Sequence, residues 1–204
     1  MASGGIVLKA TIRQLNNKDV RLRRRAVRKL FELDDPVAID AFVPLLNDED
    51  EWFRGKALIA IQRWASMKDL DLAERLSNSD KPEERILACR IAPVVGKSSE
   101  RILTRMLDDE NNLVKQNAWK NILEINEDFI EGALENNDVG IRSLAIERIQ
   151  LMDEVDNDTL KKILSDDSSR IRKKAINLLK SKPEKYSSGE FDEIIIKIAE
   201  NDDR

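Results

Sequence analysis

The chain has 204 residues, 41% of them apolar and 36% charged, with a net charge of −4, no histidine and one cysteine. This is the composition of a helix-rich folded protein, and no apolar run is long enough to span a bilayer. Without histidine there is no Ser-His-Asp or Cys-His nucleophile pair, no imidazole acid–base and no His-ligated zinc, and Cys89 alone makes neither an internal disulfide nor a Cys-rich metal site.

Residues 1–5 lack the charged and apolar stretches of a signal peptide and are predicted as a flexible N-terminus. With a lone cysteine fitting a reducing compartment, the cytoplasm is the expected location. An amphipathic segment, A, follows over roughly residues 6–17, and then a second helix, B, of about fourteen residues. The B helix opens on Arg23 and carries Ala26 three residues later. The same pair recurs as Arg54/Ala57, Arg85/Ala88, Lys115/Ala118, Arg142/Ala145 and Arg172/Ala175, at intervals of 31, 31, 30, 27 and 30 residues. The alanine is small because a neighbouring helix approaches there. Further A segments fall at roughly 36–47, 69–78, 98–108, 128–136 and 157–165. Asp35-Pro36 and Ser98-Ser99-Glu100 supply helix-start signals, and polar turns such as Asn47–Asp50 and Asn136–Asp138 join A to B.

A period near thirty identifies a solenoid, in which each repeat buries its apolar face only by stacking on its neighbours. The array is predicted over residues 6–182. Residues 183–204 form a linker and a final helix over roughly 190–200, where Phe191, Ile194, Ile195 and Ile198 share one face and acids dominate the other. One apolar face and one polar face suit an end cap. The predicted fold is an all-α, right-handed α-solenoid of about six helix pairs with a C-terminal capping helix.

The stretch Phe42-Val43-Pro44-Leu45-Leu46-Asn47-Asp48, followed by Trp52-Phe53-Arg54 and Ala57, resembles the HEAT-repeat family. The short period is similar to the HEAT-like repeats of phycobilin-lyase proteins. The third repeat departs most, with Glu84 in an apolar column and Pro93 predicted to interrupt its helix. The resemblance implies that B helices line a concave groove. It also implies that turn aspartates (Asp19, Asp50, Asp138 and Asp167) form a ladder with the B-helix basic residues of adjacent repeats. That makes Arg23, Arg54, Arg85, Lys115, Arg142 and Arg172 framework residues.

Three features remain for function. Residues 1–34 carry nine basic and three acidic side chains, a net of +6, whereas residues 127–155 carry two and eight, a net of −6. Beside the core stripe of each B helix lies a second stripe: Arg24/Arg28, Gly55/Ile59, Ile86/Arg90, Gln116/Lys120, Ser143/Glu147 and Lys173/Asn177. It is partly basic through the fourth repeat. Trp64 and Trp119 sit in apolar columns and are predicted as core, but Trp52 shares its column with Arg21, Glu83, Leu113, Gly140 and Arg170. A tryptophan there is either an inter-repeat plug or an interface anchor.

The leading reading is a non-catalytic scaffold that binds a protein partner, with an acidic segment of that partner engaging Arg21, Arg24, Arg28, Trp52, Lys56, Arg90 and Lys120. A nucleic-acid-binding module using the basic N-terminal repeats is the second reading, opposed by the acidic fifth repeat and the net negative charge. Neither catalytic residue, cofactor nor metal is expected. Of the enzymes built on such repeats, the iron-dependent deoxyhypusine hydroxylase needs His-Glu motifs absent here. No counterpart of the aromatic-lined carboxylate site of the alkylpurine DNA glycosylase is evident, and nothing in the sequence supports phycobilin lyase activity.

Overall fold

The computed structural model describes residues 2–152 and 155–181, with Phe191 and Ile196. The expected linker and capping helix lie outside the described residues, apart from a buried Phe191 and an exposed Ile196. Among the described residues there are twelve α-helices and no strand, and none of these helices is long and apolar enough to cross a membrane. The chain divides into two compact units, residues 1–102 and 103–204.

The first unit holds α1 (Ala2–Gln14), α2 (Val20–Leu33), α3 (Ile39–Phe42), α4 (Glu51–Trp64), α5 (Leu70–Ser77) and α6 (Pro82–Val95), and ends within α7 (Glu100–Met106). The second holds α8 (Asn112–Ile125), α9 (Ile130–Leu134), α10 (Val139–Leu151), α11 (Asn157–Leu164) and α12 (Ser169–Ser181). The even-numbered helices are the expected B helices. The first A helix takes in residues 2–5 as well. Around Pro44 the second A segment is broken: 3₁₀ turns at Pro36–Ala38 and Val43–Asn47 flank the short α3, because proline lacks the N–H that an α-helix would use. Alanines 26, 57, 88, 118, 145 and 175 are all 1% exposed or less, so the small-residue column is where helices meet.

Every A–B turn is built alike. The side chains of Asn17, Asp48, Ser79, Asp109, Asn136 and Asp166 each accept the backbone N–H two residues on, at 2.8, 3.0, 3.2, 2.8, 2.9 and 2.8 Å. These are Asx and Ser turns, which reverse the chain without help from a sheet or helix. In four of the six, the residue so placed then caps the B helix: Asp19, Asp50, Asn111 and Asp138 accept N–H donors from its first turn.

The basic framework residue closes the same turn from the other side. Arg54, Arg85, Arg142 and Arg172 each aim Nη1 at the carbonyls five and six residues earlier, at 2.8–3.2 Å. Arg23 donates Nε to the carbonyl of Leu15 at 2.9 Å. Lys115 has no planar fork with which to do this.

The ladder between repeats therefore differs from the expected one. Asp19, Asp50 and Asp138 are occupied as N-caps, and the framework arginines of the preceding repeats pair one turn-position earlier: Arg23 with Asp48, and Arg142 with Asp166 at 2.8 and 2.9 Å. Only Asp167 acts as expected, accepting from Arg142 at 2.7 Å. An aspartate at N-cap spends one carboxylate oxygen on its own helix, and the residue two earlier is the one that meets the framework arginine.

One expectation about the third repeat is corrected, and its odd acidic residue finds a partner. Helix α6 runs unbroken through Pro93 to Val95, forfeiting only the one bond that the missing N–H would have made. Glu84, in the apolar column, is satisfied by Lys81, which also donates to Leu46 O and Asn47 Oδ1 at 3.2 and 2.7 Å.

Two predictions follow from this frame. A Cβ on Gly55 meets no atom within 4 Å, whereas on Gly140 it falls 2.9 Å from Asp138 Oδ1, the capping oxygen. Gly55→Ala should gain about 0.5–1 kcal/mol from helix propensity, and Gly140→Ala should show no such gain in denaturant titrations. Burial acts to raise the Asp166 carboxyl, but the Arg142 guanidinium and the Ser168 N–H hold it below its ordinary value of 3.8. A depressed folded pKa means that this stabilisation is present above the ordinary value and is lost as pH falls through the folded one. Melting temperature should therefore fall steeply below about pH 4, and Asp166→Asn should flatten part of that fall while lowering stability at neutral pH.

Candidate partner-binding site

On α2, Arg21, Arg24 and Arg28 fall at i, i+3 and i+7, which places them on one face. Arg21 and Arg28 are exposed and, among the described residues, make no ion pair; Arg24 is half-buried. Its Nη2 donates to Asp50 Oδ2 at 2.8 Å, and its guanidinium lies 5.2 Å from the centroid of the Trp52 ring. One turn along α4, the Lys56 ammonium stands 5.7 Å from the Trp52 centroid and 6.0 Å from that of Phe31.

Trp52 is half-buried. Its ring meets Phe53 edge-on at 5.0 Å and 89°, and Phe53 in turn carries the Arg23 guanidinium 4.0 Å from its centroid. The result is a layered cluster of cations and rings joining the first two repeats. Asp50 ties it together, capping α4 through the Trp52 N–H at 2.9 Å while accepting from Arg24. Its carboxyl is held below its ordinary value, first by Arg24 and then by that N–H. Cation–π contacts at partly exposed sites are worth about 0.5–1 kcal/mol each, so Arg24 contributes to the frame as well as to the surface.

The structure brings Arg24, Trp52 and Lys56 into one cluster with Arg21 and Arg28 on the adjoining stripe. Arg90 is exposed on α6 in the same unit. Between α4 and α6 lies a pocket of about 330 Å³ lined by Gly55 and Leu58, by Glu51, Glu83 and Glu84, and by Arg54. The surface of the first unit is thus not continuously basic. Lys120 belongs to the second unit, where it borders a small pocket beside Glu124 and Glu147. Sequence columns missed Phe31, because its role comes from pairing across a repeat boundary, and Asp50, expected in a ladder with Arg23, pairs with Arg24 instead.

The other tryptophans are core, as their columns predict. Trp64 donates to Asp34 Oδ1 at 2.8 Å and packs on Phe31 and Phe42. Trp119 is 7% exposed and donates to Leu107 O at 3.2 Å. Trp119→Ala should cost about 3–5 kcal/mol of stability through a large buried cavity. Trp52→Ala should cost only about 1–2 kcal/mol, the ring and cation contacts of a half-buried site; urea titration of the two variants checks the difference.

Residues 8–92 match the family model of HEAT repeats. No curated protein matches the chain. Among solved structures, a designed armadillo repeat protein in complex with a (KR)4 peptide is similar at 17% identity, covering 85% of this chain and 98% of that one, with a TM-score of 0.51. An archaeal HEAT-like repeats protein from Thermococcus onnurineus NA1 is similar at 18% identity, covering 85% and 86%, with a TM-score of 0.50. The complex of CpcE and CpcF of phycocyanin lyase from Nostoc sp. PCC7120 is matched at 16% identity over 87% of this chain and 82% of that one, with a TM-score of 0.45.

Proposed function

From HEAT repeats over residues 8–92 and a HEAT/armadillo-like fold of stacked helix pairs, we propose that this protein is a non-catalytic cytoplasmic scaffold. It binds an acidic segment of a protein partner along its B helices. The observation that carries the reading is the Trp52 ring, half-buried and flanked by the Arg24 and Lys56 cations. An aromatic anchor that is already held in place loses little entropy on binding, and tryptophan and arginine dominate interface energetics.

Arg21, Arg28 and Lys56 supply positive charge that no ion pair among the described residues offsets. Arg90 and Lys120 extend the binding surface in sequence, each within its own unit. A designed armadillo protein in complex with a (KR)4 peptide is among the structural neighbours, a precedent for peptide binding on this fold, though of opposite charge. Duplex nucleic acid is disfavoured by the exposed carboxylates Glu51 and Glu83 beside the Gly55 pocket and by the net charge of −4.

The test uses Arg21→Glu with Arg28→Glu, because Arg24→Glu would set a carboxylate against Asp50 and confound binding with folding. A labelled peptide of alternating Glu and Leu should bind the wild-type chain, and the double reversal should weaken it by about tenfold or more, chiefly by slowing association. A duplex DNA of about twenty base pairs should give little shift at moderate salt. A tight, steeply salt-dependent shift abolished by the same reversal would replace this reading with nucleic-acid binding.

A further inference from the structure

The second unit contains a cleft of about 600 Å³ unrelated to the basic cluster. It opens between the A segments of the fifth and sixth repeats, α9 and α11, rather than along the B helices. Its walls include the half-buried apolar side chains of Ile130, Met152 and Val155, and its rim carries Glu127, Asp128, Glu131, Asp156 and Asp158 against Lys162. A cavity of this volume takes a few side chains, not a macromolecular surface.

The frame already employs three of these charges. Glu127 accepts from Arg148 at 2.8 Å, Asp156 caps α11 through Thr159 at 2.7 Å, and Lys162 donates to Glu135 at 2.7 Å, outside the cleft. Asp128, Glu131 and Asp158 have no ion pair among the described residues. The carboxylates do not converge either: no group of three acids, cysteines or histidines among the described residues could hold a metal ion. Charges spread along a rim suit an extended cationic ligand rather than a point ion, and the apolar wall asks for an apolar side chain between those cations.

We propose that this cleft docks a short basic segment of a protein partner, in which Lys or Arg residues flank a leucine-sized side chain. The apolar residue enters against Ile130, Met152 and Val155, and the cations pair with Glu131, Asp158 and Asp128. The site is independent of the acidic-segment reading above, so the chain would present two faces of opposite preference.

The probe is a labelled ten-residue peptide with two leucines among lysines, titrated against the full chain by fluorescence anisotropy. The expected result is saturable binding. It should weaken about tenfold with Glu131→Lys plus Asp158→Lys, a charge reversal at the rim, and by a smaller factor with the isosteric Glu131→Gln plus Asp158→Asn. Replacing both peptide leucines by serine should also weaken it, whereas Arg21→Glu with Arg28→Glu should leave it unchanged. The proposal is overturned if the serine peptide binds equally well, since that is general attraction to an acidic surface. It is also overturned if calcium or magnesium alone competes at micromolar concentration. Equal binding by variants whose circular dichroism matches the parent would overturn it too, as would concentration-dependent self-assembly that the same reversals abolish, which would make the occupant residues 1–34 of a second copy.

Discussion

A chain reversal that leaves its carbonyls bare is costly wherever stacking repeats partly shield them from water. The four guanidinium groups that close the carbonyls five and six residues before them answer that constraint. Each sits in the first turn of a helix, where a cation opposes the helix dipole. The local penalty is accepted because one planar group reaches two turn carbonyls and, in Arg142, two carboxylates of the next repeat as well. Turn geometry, helix entry and inter-repeat spacing all hang on this arrangement.

The helical frame was legible in the sequence because its columns are chemically uniform. Six alanines at a near-constant interval announced the contact line, and all six are buried there. The Asx column at Asn17, Asp48, Ser79, Asp109, Asn136 and Asp166 was equally regular, yet it was hidden by the exchange of Asn, Asp and Ser, which share a geometry rather than a charge. The ladder was misassigned for a related reason. Asp48 and Asp50 are two residues apart and chemically identical, so only the direction of the α4 N–H groups decides which one caps and which one faces Arg23. Pro93 was misjudged because a proline inside a helix removes one donor without necessarily ending the helix.

The candidate site was legible only as a set of residues. Arg24, Trp52 and Lys56 could be named from their columns, but Phe31 enters through a contact between repeats, which a column reading cannot see, and Asp50 was assigned the wrong arginine. Those contacts change the meaning of Arg24, since a cation shared between Asp50 and a ring is part of the packing. The charge asymmetry survives into the structure in a more specific form, as an aromatic cation cluster in one unit and an apolar cleft edged with acids in the other.

The three indoles sit in three different electrical settings. Trp52 lies under two cations, Trp64 donates to a carboxylate and Trp119 donates to a backbone carbonyl. Trp52 and Trp64 belong to the first unit and Trp119 to the second. Intrinsic emission from this chain is therefore a sum of spatially separate reporters. In a repeat protein, where neighbours rather than distant parts share stability, their transitions need not coincide. A single emission curve would average over two bodies, and only single-tryptophan versions would resolve them.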